Sequence, residues 1–200
     1  MSNWLNIQDK VYVVTGGSSG IGLAIVKGLL EQGAKVANFD INDSDVQNDN
    51  LLFVKTDVTS HQAVKDAVAA VVARFGTIDG LVNNAGINIP SLLVDTKDAG
   101  GQYELDEAKF DKMVNINVKG LFFVSQEVGR ILAGKQSGVI INMASEAGLE
   151  GSEGQSIYAA TKGAVYSLTR SWAKELAKHG IRVVGIAPGI MEETGLRTLA

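Results

Sequence analysis

The sequence predicts a doubly wound α/β domain on three observations. Short β-branched runs alternate with helical apolar stripes along the chain, and the first run closes in a glycine-rich turn that opens into a helix. The third is size: 200 residues, 46% of them apolar, suffice for one well-cored domain and are too few for two comfortable ones. Parallel neighbours need right-handed crossovers, so such alternation specifies a parallel sheet with helices on both faces. The expectation is one domain over 1–200.

Positions 10–15 form the first strand, and 21–32 the first helix, with Ala24, Ile25 and Leu29 at helical spacing. Positions 34–40 and 51–56 supply the second and third strands. Ser60 caps a helix with Val64, Val68 and Val72, and Val71 and Phe75, as i,i+4 neighbours. The fourth strand is 80–83, followed by a long helix at 106–135, a strand at 138–144, a helix at 156–179 and a sixth strand at 181–187. The long irregular stretch is 87–103, a length typical of functional or mobile loops.

Composition narrows the chemistry. There is no cysteine, so disulfides, thiolate metal sites and a cysteine nucleophile are excluded, and the two histidines, His61 and His179, cannot build a histidine cage. No metal is expected. The 18 basic and 22 acidic side chains give −4 without long like-charged blocks, which argues against a nucleic-acid surface. No apolar run reaches the roughly 18 residues of a membrane-spanning helix, and the first ten residues lack a signal-peptide pattern. A cytoplasmic protein acting on a small molecule is expected.

In a doubly wound sheet, ligands bind outside the carboxyl ends of the strands. There the first turn reads Thr15-Gly16-Gly17-Ser18-Ser19-Gly20-Ile21-Gly22. Between strand and helix, such glycines let a pyrophosphate approach the N–H groups at the helix start; the alternative is a tight turn without chemistry. Asp40 ends the second strand, where a carboxylate accepts hydrogen bonds from an adenosine ribose and repels a 2′-phosphate. No lysine or arginine stands at 17–20 or 41–45, so NAD is expected over NADP. Without the glycine loop, Asp40 reads as a solvated turn residue. Ser145 falls at the end of the fifth strand, and Tyr158 and Lys162 lie i,i+4 on the next helix, so all three can meet at the ligand edge. Alone, the tyrosine and lysine also fit an amphipathic helix packing on a sheet.

TGGSSGIG, Asn83-Asn84-Ala85-Gly86, Asn117 in NINVKG, Ser145, YAATK at 158–162 and Pro188-Gly189 resemble, in order and spacing, the short-chain dehydrogenases/reductases. Within that family, GINIPSLLVDTK, YELDEAKFDKMVNIN and SEAGLEGSEGQSIYAATK are similar to dehydrogenases of a polyol phosphate. The resemblance implies a Rossmann-type domain that binds NAD and exchanges a hydride with a polyol or sugar phosphate. It implies Tyr158 as base, Lys162 on the nicotinamide ribose, Ser145 on the substrate oxygen and Asn117 holding a water beside Lys162. Gly16, Ser18, Ser19, Gly20, Ile21 and Asp40 would hold the cofactor, with Asp57 and Val58 flanking adenine. Asn84, Ala85, Gly86, Pro188, Gly189 and Ile190 complete that set, and Asn83 braces the sheet. Lysine and oxidised nicotinamide are expected to bring the Tyr158 pKa near working pH. Glu146, with Glu150 and Glu153, suits substrate hydroxyls or simply a solvated loop. Lys97 and Arg197 are the cations available to a substrate phosphate.

The resemblance also implies a homotetramer or dimer through the helices at 106–135 and 156–179, with Phe122, Val165 and Trp172 as spare apolar surface. The family pattern runs on past the sixth strand to a lid and a last strand, which are expected to be absent from 1–200, and its threonine after Pro-Gly corresponds loosely to Thr194. Trp4 and Trp172 read as packing anchors, and His61 as a surface residue. Two other readings stay open, a relative reducing an acyl thioester or steroid ketone and a non-catalytic nucleotide-sensing module.

Overall fold

The computed structural model describes residues 5–189 and 191. Six parallel strands lie in the order β3-β2-β1-β4-β5-β6: β1 Val11–Thr15, β2 Lys35–Asp40, β3 Leu51–Lys55, β4 Gly80–Asn83, β5 Gly138–Met143 and β6 Ile181–Ile186. The order reverses between β1 and β4, the switch point beside which ligands bind in such sheets. The helices are α1 Gly20–Glu31, α2 His61–Phe75, α3 Glu107–Val114, α4 Leu121–Lys135, α5 Ala147–Glu150 and α6 Ser156–Leu176. The alternating architecture is as expected.

Both faces of the sheet are covered. Val13, Phe39, Leu81 and Ile140 bury completely against Val64, Val71, Val124, Val128 and Leu132 of α2 and α4. Val14, Val36 and Val82 pack on the opposite side with Val26 of α1. Each completely buried valine or leucine contributes about 1.5–3 kcal/mol relative to exposure. The Ser60 hydroxyl accepts the Ala63 N–H as the cap of α2. The buried stripe of that helix is Val64, Ala67, Val68 and Val71, while Val72 turns outward.

Three expectations need correcting. The helix at 106–135 is interrupted by a π-helical segment at Asn115–Gly120. The stretch after Ser145 contains the short α5. His61 is no free surface residue: its ring stacks on Phe123 with centroids 4.5 Å apart, and Nε2 meets the Glu127 carboxylate at 2.6 Å.

Candidate active site

The carboxyl ends of the central strands open onto a cleft of about 490 Å³. Its walls hold Gly16, Ser19, Gly20, Ile21, Asp40, Asp57, Val58, Asn84, Ala85 and Gly86 on one side, and Ser145, Tyr158, Lys162, Pro188 and Gly189 on the other. The sequence-derived residues therefore converge, with instructive exceptions.

Thr15 and Asn84 shape the glycine loop. Thr15 Oγ1 accepts the Asn84 and Ala85 N–H groups, both at 3.0 Å, and Asn84 Nδ2 donates to the Thr15 and Gly16 carbonyls at 3.1 and 3.0 Å. Gly16 has φ +66°, and a Cβ there would stand 3.0 Å from Ala85 Cα, so loop and neighbouring strand end touch backbone to backbone. Ser19 precedes α1 without capping it through its side chain, and the first turn has no acidic residue. That helix end therefore keeps its positive character for a phosphate.

Beneath the loop lies a network that the sequence did not disclose. Asn38 is completely buried; its Oδ1 accepts the Gly17 N–H and its Nδ2 donates to Ser18 Oγ, both at 3.0 Å. Asp40 accepts the Ser18 N–H on Oδ2 and the Asn42 N–H on Oδ1, both at 2.9 Å. Ser18 is thus taken up in holding Asp40 and is not on the cleft wall. The signal was a lone asparagine inside the buried strand KVANFD, where an amide must find partners.

On the opposite side, Ser145 follows β5, and its carbonyl accepts the Tyr166 hydroxyl at 3.2 Å. The Ala147 N–H points at Ser145 Oγ from 3.4 Å. A Cβ on Gly148 would come 2.7 Å from the Lys162 carbonyl carbon, so only glycine lets α5 lie against α6 there. Tyr158 and Lys162 are 8% and 7% exposed. Lys162 Nζ donates to the Met143 carbonyl at 2.7 Å and stands 5.7 Å from the Tyr158 ring centroid. Burial lowers the lysine pKa to about 8. Burial also raises that of Tyr158, against the pull of a Ser145 hydrogen bond. The expected lowering of the tyrosine pKa is therefore reversed in the chain by itself, because desolvation exceeds the pull of the Ser145 hydrogen bond.

Asn117 sits in the π segment and is 1% exposed. Its Oδ1 accepts the Ile87 N–H at 2.8 Å, while Nδ2 donates to the Ile87 carbonyl at 2.9 Å and to Thr161 Oγ1 at 3.1 Å. It stands behind the wall, clamping the loop after β4 to the helix of Tyr158 and Lys162. Asn83 braces the sheet, donating to Ser125 Oγ at 2.8 Å and Asn142 Oδ1 at 2.9 Å.

The substrate-side expectations fare worse. Lys97 is exposed and off the wall, its N–H held by Asp95 at 2.9 Å. Glu146 is exposed, joined through its N–H to the Pro188 carbonyl at 3.3 Å. Ile190, Thr194, Arg197 and Trp4 lie outside the described residues. Among the described residues, no three acidic, histidine or cysteine side chains gather as a metal site, and no helix is long and apolar enough to cross a membrane.

The strand order, the glycine loop at a helix start and the acid ending β2 define a Rossmann-type nucleotide-binding fold, in whose cleft a serine, a tyrosine and a lysine meet. A family model described as short chain dehydrogenase matches residues 10–199. The chain belongs to the short-chain dehydrogenase family and is an oxidoreductase. It is 60% identical over 200 residues to a sorbitol-6-phosphate 2-dehydrogenase of Klebsiella pneumoniae, a match covering 99% of this chain and 75% of that protein. It is 39% identical over 197 residues to the 3-oxoacyl-acyl-carrier-protein reductase FabG of Thermotoga maritima, covering 94% and 76%. The crystal structure of gox2181 superimposes with a TM-score of 0.87 at 35% identity, covering 98% of this chain and 77% of that one.

Proposed function

We propose that the protein exchanges a hydride between NAD and a polyol phosphate, interconverting D-sorbitol 6-phosphate and D-fructose 6-phosphate. The observation that carries the reaction type is the meeting of Ser145, Tyr158 and Lys162 in the cleft that Asp40 borders. The substrate is supported by the relative at 60% identity, against 39% for the acyl-thioester reductase.

The cleft fits a dinucleotide. A Cβ on Gly86 would stand 3.3 Å from Asn117 Oδ1 and 3.6 Å from Lys162 Nζ, so glycine keeps room for a ribose beside the lysine. Asp40 is placed for the adenosine ribose and disfavours a phosphate there. When bound, NAD supplies the hydride acceptor. The protein's own residues handle the proton. The Tyr158 phenolate takes it from the substrate hydroxyl and becomes the phenol, Ser145 orients that oxygen, and Lys162 holds the ribose and offsets the phenolate charge before the transfer. Asn117 keeps the ends of this set in register. A dianionic sugar phosphate does not cross a bilayer unaided, which suits a cytoplasmic enzyme. We further propose a homo-oligomer, a dimer or tetramer, through α4 and α6. Phe122, 40% exposed, remains available for it, whereas Val165 is completely buried and Trp172 packs into the core.

The test is NADH formation from polyols and polyol phosphates by the wild type and Asp40→Ala. The wild type should prefer sorbitol 6-phosphate and NAD. The variant should narrow the NAD over NADP ratio of kcat/KM by about tenfold to a hundredfold, the range of a charged hydrogen bond. No turnover of any polyol phosphate, or an unchanged ratio, would refute the corresponding half of the reading.

A further inference from the structure

The corner of the cleft at Asp40 is ordered by hydrogen bonds within the chain. Asp40 is 8% exposed; its Oδ2 accepts the Ser18 N–H and its Oδ1 the Asn42 N–H, both at 2.9 Å. The Ser18 hydroxyl donates in turn to the Asn42 carbonyl at 2.9 Å. Asp40, Ser18 and Asn42 thus close a ring. A carboxylate offers about four lone-pair sites, so two remain for the hydroxyls of a ribose diol.

Asn38 sets the direction of that ring from beneath. It stands two residues before Asp40, on the same side of β2, and lies opposite Val14 of β1 and Phe53 of β3. Its amide cannot be reversed, because Oδ1 accepts the Gly17 N–H at 3.0 Å and a backbone N–H can only donate. The other end, Nδ2, therefore donates to Ser18 Oγ at 3.0 Å. A hydroxyl carries one hydrogen, and with the amide donating to its oxygen that hydrogen is left for the Asn42 carbonyl. A Cβ on Gly17 would lie 2.5 Å from Asn38 Oδ1, so the loop rests directly on the amide.

We infer that Asn38 is a positioning residue for cofactor selection: through Ser18 it holds the Asp40 carboxylate fixed for the ribose diol, and so sharpens the preference for NAD over NADP. This rests on the NAD reading above and adds to it a completely buried residue that acts only through others. A carboxylate already ordered loses less freedom when the diol binds. One free to turn away would meet the diol less well and repel a 2′-phosphate less, so loosening the ring weakens NAD and relieves NADP.

The experiment measures dissociation constants for NAD and NADP by isothermal titration calorimetry in the wild type, Asp40→Ala, Asn38→Leu and Ser18→Ala, and in Asp40→Ala combined with each of the other two. Asn38→Leu and Ser18→Ala should each narrow the NAD over NADP ratio of affinities by about threefold to tenfold, the range of a neutral hydrogen bond and less than the effect of Asp40→Ala. Added to Asp40→Ala, neither should move the ratio further, because both act through the carboxylate. A residue that merely supports the loop weakens both cofactors by the same factor. An unchanged ratio in Asn38→Leu or in Ser18→Ala, or a narrowing that persists in full without Asp40, would overturn the inference. If Asn38→Leu does not fold, Ser18→Ala decides by the same two criteria, since it breaks the same link and leaves the Gly17 contact in place. An Asp40→Ala variant with the wild-type ratio would overturn the reading of Asp40 and this inference together, whereas a narrowed ratio in Asp40→Ala alone overturns only the inference.

Discussion

The two ends of the parallel sheet treat buried charge in opposite ways. At the amino end, Asp79 accepts the Val11 N–H at 2.8 Å and pairs with Lys135, while Lys10 stands 4.0 Å away. Lys135 also donates to the Ile78 carbonyl at 2.9 Å. Burial alone would raise the Asp79 pKa, but the Lys135 hydrogen bond, the Val11 N–H and the two ammonium groups together lower it. At the carboxyl end, Lys162 is more deeply enclosed than Asp79 or Lys135 and has a backbone carbonyl as its hydrogen-bond partner, and among the described residues no carboxylate pairs with it. The amino end spends its charges on holding strands together; the carboxyl end keeps a cation uncompensated, ready for a ligand. The two ends differ in both burial and pairing: the half-buried amino-end charges are matched, the buried carboxyl-end cation is not.

The sharpest break of that comparison is Tyr158→Phe. General acid–base catalysis contributes roughly 10²–10⁴-fold, so kcat should fall by about that much while NAD affinity, measured by fluorescence titration, stays near wild type. Near-full turnover would show that another group takes the proton.

Lys162→Met separates stability from function at one residue. The folded lysine titrates at about 8 against 10.5 for a free lysine side chain, so the protonated form destabilises the fold below about pH 8. Between pH 8 and 10.5 the unfolded chain holds more protons, and wild-type stability should rise. The variant lacks this slope. At neutral pH it relieves a desolvation cost of about 3 kcal/mol, offset by about 1–3 kcal/mol for the Met143 carbonyl left unpaired. Urea denaturation from pH 7 to 10 reads the difference, and activity and cofactor affinity should fall at the same time. A wild type whose stability does not climb with pH would show that the lysine is better solvated than its burial implies.

Asp79→Asn probes the amino end and should have the smallest effect. The folded pKa lies below the unfolded one, so its contribution is present above pH 3.8 and is lost as pH falls through the folded value. The variant should lose about 1–2 kcal/mol near neutral pH, little in strong acid, and nothing in kcat/KM. A substantial loss of activity would tie the two ends together.

What the sequence disclosed follows from the range of the interactions involved. The strands and the glycine loop are written in local patterns, so their order along the chain was legible, as was the meeting of Ser145, Tyr158 and Lys162. The π segment was not, because π and α turns demand similar residues, and what the site uses there is the Asn117 clamp on Ile87, a contact between positions 30 apart. The tie of the Ser18 N–H to Asp40, 22 positions away, is likewise beyond local pattern. Val165 reads as spare surface in the sequence because periodicity cannot tell a face buried in the fold from one awaiting a partner. Only its charge marks Lys97 in the sequence, and charge says nothing about which way a loop turns.

The π segment at Asn115–Gly120 has a consequence for the phase of the helix around it. A π turn spends about one residue more than an α turn, so the helix after it is rotated by about 100° relative to an uninterrupted one. Here α3 turns Met113 toward the Tyr158 cluster, while α4 turns Val124, Val128 and Leu132 into the core beneath the sheet. A continuous α-helix through 107–135 would hold only one of those aims. The extra residue works as an angular joint that lets a single helix serve the Tyr158 cluster at one end and the core at the other.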